Sequence, residues 1–327
     1  MIIQVRDLRK YFPVRRSWAD ILRGRSQRFI KAVNGLNFDV RENEVFCLAG
    51  ESGCGKSTTG RLLIRLLEPT SGKVLFKGRD IYAIPKEKFK EYRKYMQIIF
   101  QDPYESLNPR MTVYDLIEEP LRIHNIGDEK ERFDLVYQAL MDVGLEPPED
   151  FMIRYPHQLS GGQRQRVAIA RALILKPEFV VADEPVSMLD VSIRAGILKL
   201  MLDLKEKYGL TYLFITHDLS VAYHMCDRLA VMYLGKIVEM GPAEDVILSP
   251  LHPYTKALVE AVPKGEPELK DRLKEVPIIG DVPSPIDLPT GCIFSPRCVK
   301  RFDLCDKEEP LLLEVGNDRY VACHLFK

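Results

Sequence analysis

The chain has 327 residues, 46% of them hydrophobic and 29% charged, with 47 Lys+Arg balanced by 47 Asp+Glu. That length suits two domains of ordinary size, and the composition is that of a folded globular protein rather than a disordered one. Zero net charge removes a whole-chain electrostatic case for nucleic-acid binding, no apolar run approaches the roughly 18–20 residues that span a bilayer, and seven scattered cysteines exclude a disulfide scaffold.

The N-terminus, MIIQVRDLRKYFP, lacks the basic and apolar regions of a secretory signal. The expectation is a soluble cytosolic protein with reduced thiols, in which Cys47 and Cys226 are plain core residues. Residues 13–31 follow as a basic insertion. Arg15, Arg16, Arg23, Arg25, Arg28 and Lys31 face one acid, Asp20, and Trp18, Ile21 and Leu22 have the spacing of one helical face. Such a segment either lies on an anionic membrane surface or is a solvated loop packed on its neighbours.

The runs Val45–Ala49, Phe179–Ala182 and Thr211–Ile215 are short, apolar and rich in β-branched or aromatic residues, as in strands buried on both faces of a parallel sheet. Helical patterns over Ser57–Leu67 and Val167–Leu175 lie between them, so the fold class is α/β. Ten of the 22 prolines and four of the seven cysteines fall after Leu248, a composition shift that predicts a domain boundary near residue 246.

Between the first of those strands and its helix stands Gly50-Glu51-Ser52-Gly53-Cys54-Gly55-Lys56-Ser57, followed by Thr58, which fits G-x-x-x-x-G-K-[ST] at every fixed position. Glycines let backbone N–H groups turn toward phosphate oxygens, and the helix N-terminus favours an anion. Lys56 would reach the β/γ-phosphates and Ser57 would hold Mg²⁺. Cys54 reads as a small residue that fits the loop. Ser160-Gly161-Gly162-Gln163 opens a later helix as a second anion-binding N-terminus. One nucleotide does not need two cradles in one chain, whereas a dimer does, the second covering the γ-phosphate held by the partner. The strand EFVVADEP ends in Asp183, placed to hold Mg²⁺, and Glu184, placed to polarise the attacking water.

LSGGQ between a phosphate loop and a strand ending Asp-Glu resembles the ATP-binding cassette (ABC) ATPases. The resemblance implies a P-loop nucleotide hydrolase core over residues 1–245, with a helical subdomain at about 103–159, and a Cys-rich C-terminal extension over 246–327. It implies further roles. Gln101 in IIFQDP resembles the glutamine that contacts Mg²⁺ and water. Ser187-Met188-Leu189-Asp190 resembles the D-loop, with Met188 in place of the usual Ala. His217 in FITHD resembles the switch histidine at the γ-phosphate, and Phe12 or Tyr11 resembles the aromatic that stacks on adenine. Glu184, His217, Gln101 and Lys56 are the expected catalytic residues.

MQIIFQDPYESLNPRMTV, ADEPVSMLDVSI and LHPYTKALVEAVP are similar to the ATPases of oligopeptide/dipeptide importers, of OppF/DppF type. The implied function is ATP hydrolysis driving import of peptides, or of related solutes such as oligosaccharides or nickel. The implied partners are a D-type ATPase in a heterodimer, two membrane-spanning permease subunits and, indirectly, an extracytoplasmic solute-binding protein. The implied location is the cytoplasmic membrane face. The alternative is a soluble ABC ATPase acting on nucleic acid or ribosomes. It is disfavoured by a single cassette, zero net charge and the importer-like tail.

Cys292, Cys298, Cys305 and Cys323 have a spacing that fits neither compact zinc fingers nor ferredoxin runs, leaving zinc, an iron–sulfur centre or free thiols open on spacing alone. The resemblance implies a [4Fe–4S] cluster, with zinc as runner-up.

Overall fold

The structure is a computed structural model that describes residues 1–16, 26–261 and 278–326. Its centre is an eight-stranded sheet in the order β11-β12-β10-β9-β3-β8-β7-β6. The strands are β3 (Val45–Ala49), β6 (Met96–Ile99), β7 (Phe179–Asp183), β8 (Thr211–Thr216), β9 (Arg228–Tyr233), β10 (Lys236–Pro242), β11 (Leu313–Gly316) and β12 (Arg319–Val321). From β6 to β9 the neighbours are parallel; β10, β12 and β11 continue antiparallel at one edge.

Successive residues of the central strands feed opposite faces. Val45, Cys47 and Ala49 join one buried cluster and Phe46 and Leu48 the other; Val180 and Ala182 alternate with Phe179 and Val181 in the same way. This two-sided burial is why the strands read as unbroken apolar runs. Helices Val113–Ile123, Glu129–Asp142, Gly161–Leu173 and Val191–Tyr208 cover one face. On the other lies an antiparallel sheet, β2-β1-β4-β5, made of β1 (Ile3–Pro13), β2 (Phe29–Val40), β4 (Ser71–Phe76) and β5 (Arg79–Asp80). Each large side chain so buried, such as Phe46 or Phe214, contributes on the order of 2 kcal/mol.

The expected helix Ser57–Leu67 is shorter, Lys56–Leu63, because Arg65 turns into the left-handed region at φ 54°. The expected helix Val167–Leu175 begins earlier, at Gly161, because Ser160 caps it. The ends of the basic insertion extend the β1–β2 ribbon, where Val14 N–H donates to Arg28 O at 2.9 Å. The apolar face expected of Trp18, Ile21 and Leu22 lies outside the described residues.

The end of the chain packs into the same core. β11 and β12 extend the main sheet, and Cys292, Ile293, Phe294 and Cys305 join the cluster under the helical face. One expectation is corrected: Cys47 and Cys226 are paired as a disulfide, not left as separate core thiols, with Cα atoms 5.9 Å apart. Asp227 brings them together, its N–H donating to Val45 O at 3.0 Å and its carboxylate accepting from Val45 N–H at 2.7 Å.

Candidate functional site

The sheet order assembles the site. β3, β8, β7 and β6 are parallel neighbours, so their carboxyl ends open on the same edge, where α/β sheets bind ligands. β3 runs into the phosphate loop, β6 is followed by Gln101, β7 ends at Asp183 and Glu184, and β8 is followed by His217. Together they surround a cavity of about 440 Å³ lined by Ala32, residues 52–53 and 55–58 of the loop and its helix, Gln101, Glu184 and His217.

The loop needs glycine where its backbone is pressed against neighbours. Gly50 has φ 149°, and a Cβ there would lie 2.2 Å from Met232 O; Gly55 has φ 107°, with a Cβ 2.0 Å from Ala32 O. Either approach is impossible for another residue without moving the main chain. Lys56 is buried, its ammonium donating to the carbonyls of Gly50 at 2.8 Å and Glu51 at 3.0 Å. A phosphate entering the loop would offer this cation a charged acceptor in their place. Cys54 is packed beneath the loop, and burial pushes its thiol up.

Ser57 Oγ donates to Asp183 Oδ1 at 2.8 Å. These two oxygen donors, beside Lys56, are the hard ligands that Mg²⁺ prefers, so the residues present fit the ion. Burial raises the Asp183 carboxyl above its ordinary value, and the Ser57 bond partly opposes that. Glu184 sits at φ 47°, an uncommon conformation for a non-glycine residue. Its Oε2 accepts the Gln101 amide at 3.1 Å and lies 3.1 Å from His217 Nδ1.

The other expected residues stand apart from this cavity. Ser160 is the exposed N-cap of Gly161–Leu173; its hydroxyl accepts from Gln163 N–H at 3.3 Å and its N–H donates to the Gln163 side chain at 2.9 Å. Gly161 and Gly162 form the first turn of that helix. Asp190 is the exposed N-cap of Val191–Tyr208. Neither candidate aromatic lines the cavity: the Tyr11 hydroxyl donates to Asn34 at 2.6 Å, and Lys10 lies over the Phe12 ring at 5.1 Å. Glu51 also points away, to partners in the tail that local sequence gave no sign of.

Cys292, Cys298, Cys305 and Cys323 line one small pocket with His252 and His324. Burial, and then the neighbouring sulfurs, push the Cys292 thiol up to about 11, and burial raises Cys298 and Cys323. A soft four-sulfur set suits zinc or an iron–sulfur centre in its donor chemistry. Among the described residues, however, no group of three or more His, Cys, Asp or Glu side chains is arranged to hold a metal ion.

Residues 33–187 match the ABC transporter family, and residues 238–305 match the C-terminal region of oligopeptide/dipeptide transporters. The oligopeptide transport ATP-binding protein AppF of Bacillus subtilis is 47% identical over 326 residues, 99% of this chain and 97% of that one. The chain belongs to the ATP-binding proteins of the ABC transporter family. It is an ATPase. The dipeptide transport ATP-binding protein DppF of Haemophilus influenzae is 46% identical over 97% of this chain and 94% of its own length. Among solved structures, the cassette cbiO1 of Clostridium perfringens superposes with a TM-score of 0.64 at 28% identity, covering 76% of this chain and 91% of that one. The cassette MJ0796, solved as a dimer with ADP and phosphate, gives 0.64 at 29% identity, covering 74% and 98%. Among the described residues no helix of this cassette is long and apolar enough to cross a membrane.

Proposed function

We propose that this chain is the ATP-hydrolysing subunit of an importer of oligopeptides or dipeptides, working at the cytoplasmic membrane face with transmembrane permease subunits. The observation that carries the reading is the cavity that joins the phosphate loop to Gln101, Glu184 and His217. The peptide cargo is supported by the match over 238–305 and by the names of the relatives. The same match favours transport over the soluble alternative.

Lys56 and the loop N–H groups would hold the phosphates, and Ser57, Asp183 and Gln101 would hold Mg²⁺. The ion, when bound, offsets charge on the reacting phosphates. Glu184 orients the attacking water and accepts its proton, and His217 fixes that carboxylate and reaches the γ-phosphate. Ser160, Gly161, Gly162 and Gln163, with Asp190, act across a head-to-tail dimer, and a D-type partner would make it a heterodimer. Ser160 and Asp190 are exposed, and none of the five lines this chain's own cavity, which supports that role. Phe12 or Tyr11 stacks on adenine. Residues 1–245 form the ATPase domain, with the helices of about 103–159 as a subdomain facing the permease, and 246–327 form the extension. Its four cysteines would hold a [4Fe–4S] cluster, a reading supported by their common pocket and soft donor chemistry and not by their present arrangement.

The complex reconstituted in vesicles with its permease and binding protein tests the whole reading. ATP turnover stimulated by peptide, with peptide accumulating inside, is expected. Turnover indifferent to every peptide, with no uptake, would contradict it.

A further inference from the structure

The second residue of the phosphate loop is held by the tail of the chain. Arg297 donates to both carboxylate oxygens of Glu51, from Nη1 at 2.9 Å and Nη2 at 3.2 Å, across 246 residues of sequence. The arginine side chain is only 9% exposed. The backbone N–H of Glu51 donates to the hydroxyl of Tyr254 at 3.0 Å, and that ring is fully buried. So both the side chain and the main chain of one loop residue are gripped from beyond residue 250.

The grip has a rigid backing. Tyr233, Tyr254 and Phe294 pack ring against ring, with centroids 4.7–5.5 Å apart, and the Arg297 guanidinium lies over Tyr233 at 5.8 Å. Its other end is the loop itself. The carbonyl of Glu51 accepts the Lys56 ammonium and, at 3.3 Å, the N–H of Cys54. Whatever fixes Glu51 therefore fixes the residue that receives the lysine.

We propose that Arg297 and Tyr254 are positioning residues that clamp Glu51 and hold the phosphate loop in its nucleotide-receiving shape. This rests on the reading of Gly50–Ser57 as the ATP cradle. A forked guanidinium–carboxylate pair restricts both partners more than a point charge does. A loop already ordered before its ligand arrives loses less entropy on binding. Without Arg297 the loop must be ordered by the nucleotide, and an unpaired carboxylate is left beside a site built for a polyanion.

The test is calorimetric titration of the full-length chain with MgADP. Arg297→Ala is expected to weaken binding by about tenfold, near 1.4 kcal/mol. Arg297→Lys should recover only part, since the fork is lost. Glu51→Ala should show a loss like that of Arg297→Ala, and Arg297→Ala/Glu51→Ala no more than the larger single loss, because both break one contact. In the assembled transporter, KM for ATP should rise while kcat stays within about twofold, the mark of lost binding rather than lost chemistry.

Wild-type affinity in either single variant, or losses that multiply in the double variant, would overturn the clamp. If Arg297→Ala does not fold, Glu51→Ala decides alone, since it leaves the tail intact. Lys56→Ala run in parallel separates the two readings. Loss of MgADP there with none in the clamp variants sinks the clamp only. No loss in Lys56→Ala sinks the cradle.

Discussion

His217 Nδ1 lies 3.1 Å from Glu184 Oε2, the same oxygen that accepts the Gln101 amide. Three strand ends thus meet on one carboxylate atom. A carboxylate with two such neighbours has a fixed direction, which a group that must orient water requires. His217→Ala should therefore lower kcat on the order of 100-fold while MgADP binding stays close to wild type. Steady-state turnover beside a binding titration checks both halves. An equal loss in affinity would move His217 from the reacting end of the site to the cradle.

Ser160 carries two duties that a single alanine variant would confuse. It caps its own helix, worth about 1 kcal/mol, and it is proposed to meet the partner's nucleotide. Ser160→Asp keeps an N-cap acceptor and adds a charge that repels phosphate. The isolated chain should keep its thermal midpoint and MgADP affinity, while ATP-dependent closure of the assembled dimer, read by size-exclusion chromatography, should be lost. Reduced affinity in the isolated chain would end the cross-subunit reading.

The four tail cysteines make a prediction about composition. Anaerobically purified protein should be brown and hold about four irons per chain, the content of one such cluster. Cys298→Ser should lose colour and iron. Arg297 is the next residue, so MgADP affinity in that variant should fall as well, because metal binding and local folding share one free energy. One zinc per colourless chain would transfer the site to zinc. Four freely titrating thiols and no metal would leave only a thiol-lined pocket.

Much of the fold was legible because it is written locally. The run Val45–Ala49 is β3 to the residue, since a strand buried on both faces must be apolar throughout. The meeting of the loop's Ser57 with Asp183, and of Glu184 with Gln101, lies where the local patterns Gly50–Ser57 and Asp183–Glu184 pointed, because each pattern fixes residue types at a set spacing beside a strand end. The Ser57–Asp183 contact, across 126 residues, joins two such local patterns at the ends of β3 and β7, with β8 between them in the sheet.

Other contacts had no such signature. Glu51 stands at a position of the loop pattern open to any residue, and nothing in SPRC names it as the partner of Arg297. Tyr254 lies in a stretch noted only for its likeness to peptide importers, and its buried hydroxyl is defined by packing against Tyr233 and Phe294. Cys47 and Cys226 meet because Asp227 holds the end of one helix against β3, 179 residues away in sequence. The aromatic expectation fell between these cases. KYF is a local signal, yet both rings have partners outside the cavity in this chain.

The most direct test is ATP turnover by the assembled complex carrying Glu184→Gln. The substitution keeps the shape beside Gln101 and His217 and leaves the Ser57–Asp183 pair intact, but removes the carboxylate that would take the proton from water. The account predicts ATP bound at wild-type affinity, a closed dimer that persists with ATP, and hydrolysis reduced on the order of 1,000-fold once turnover from the partner's own site is subtracted. Near-normal hydrolysis by that complex would contradict it.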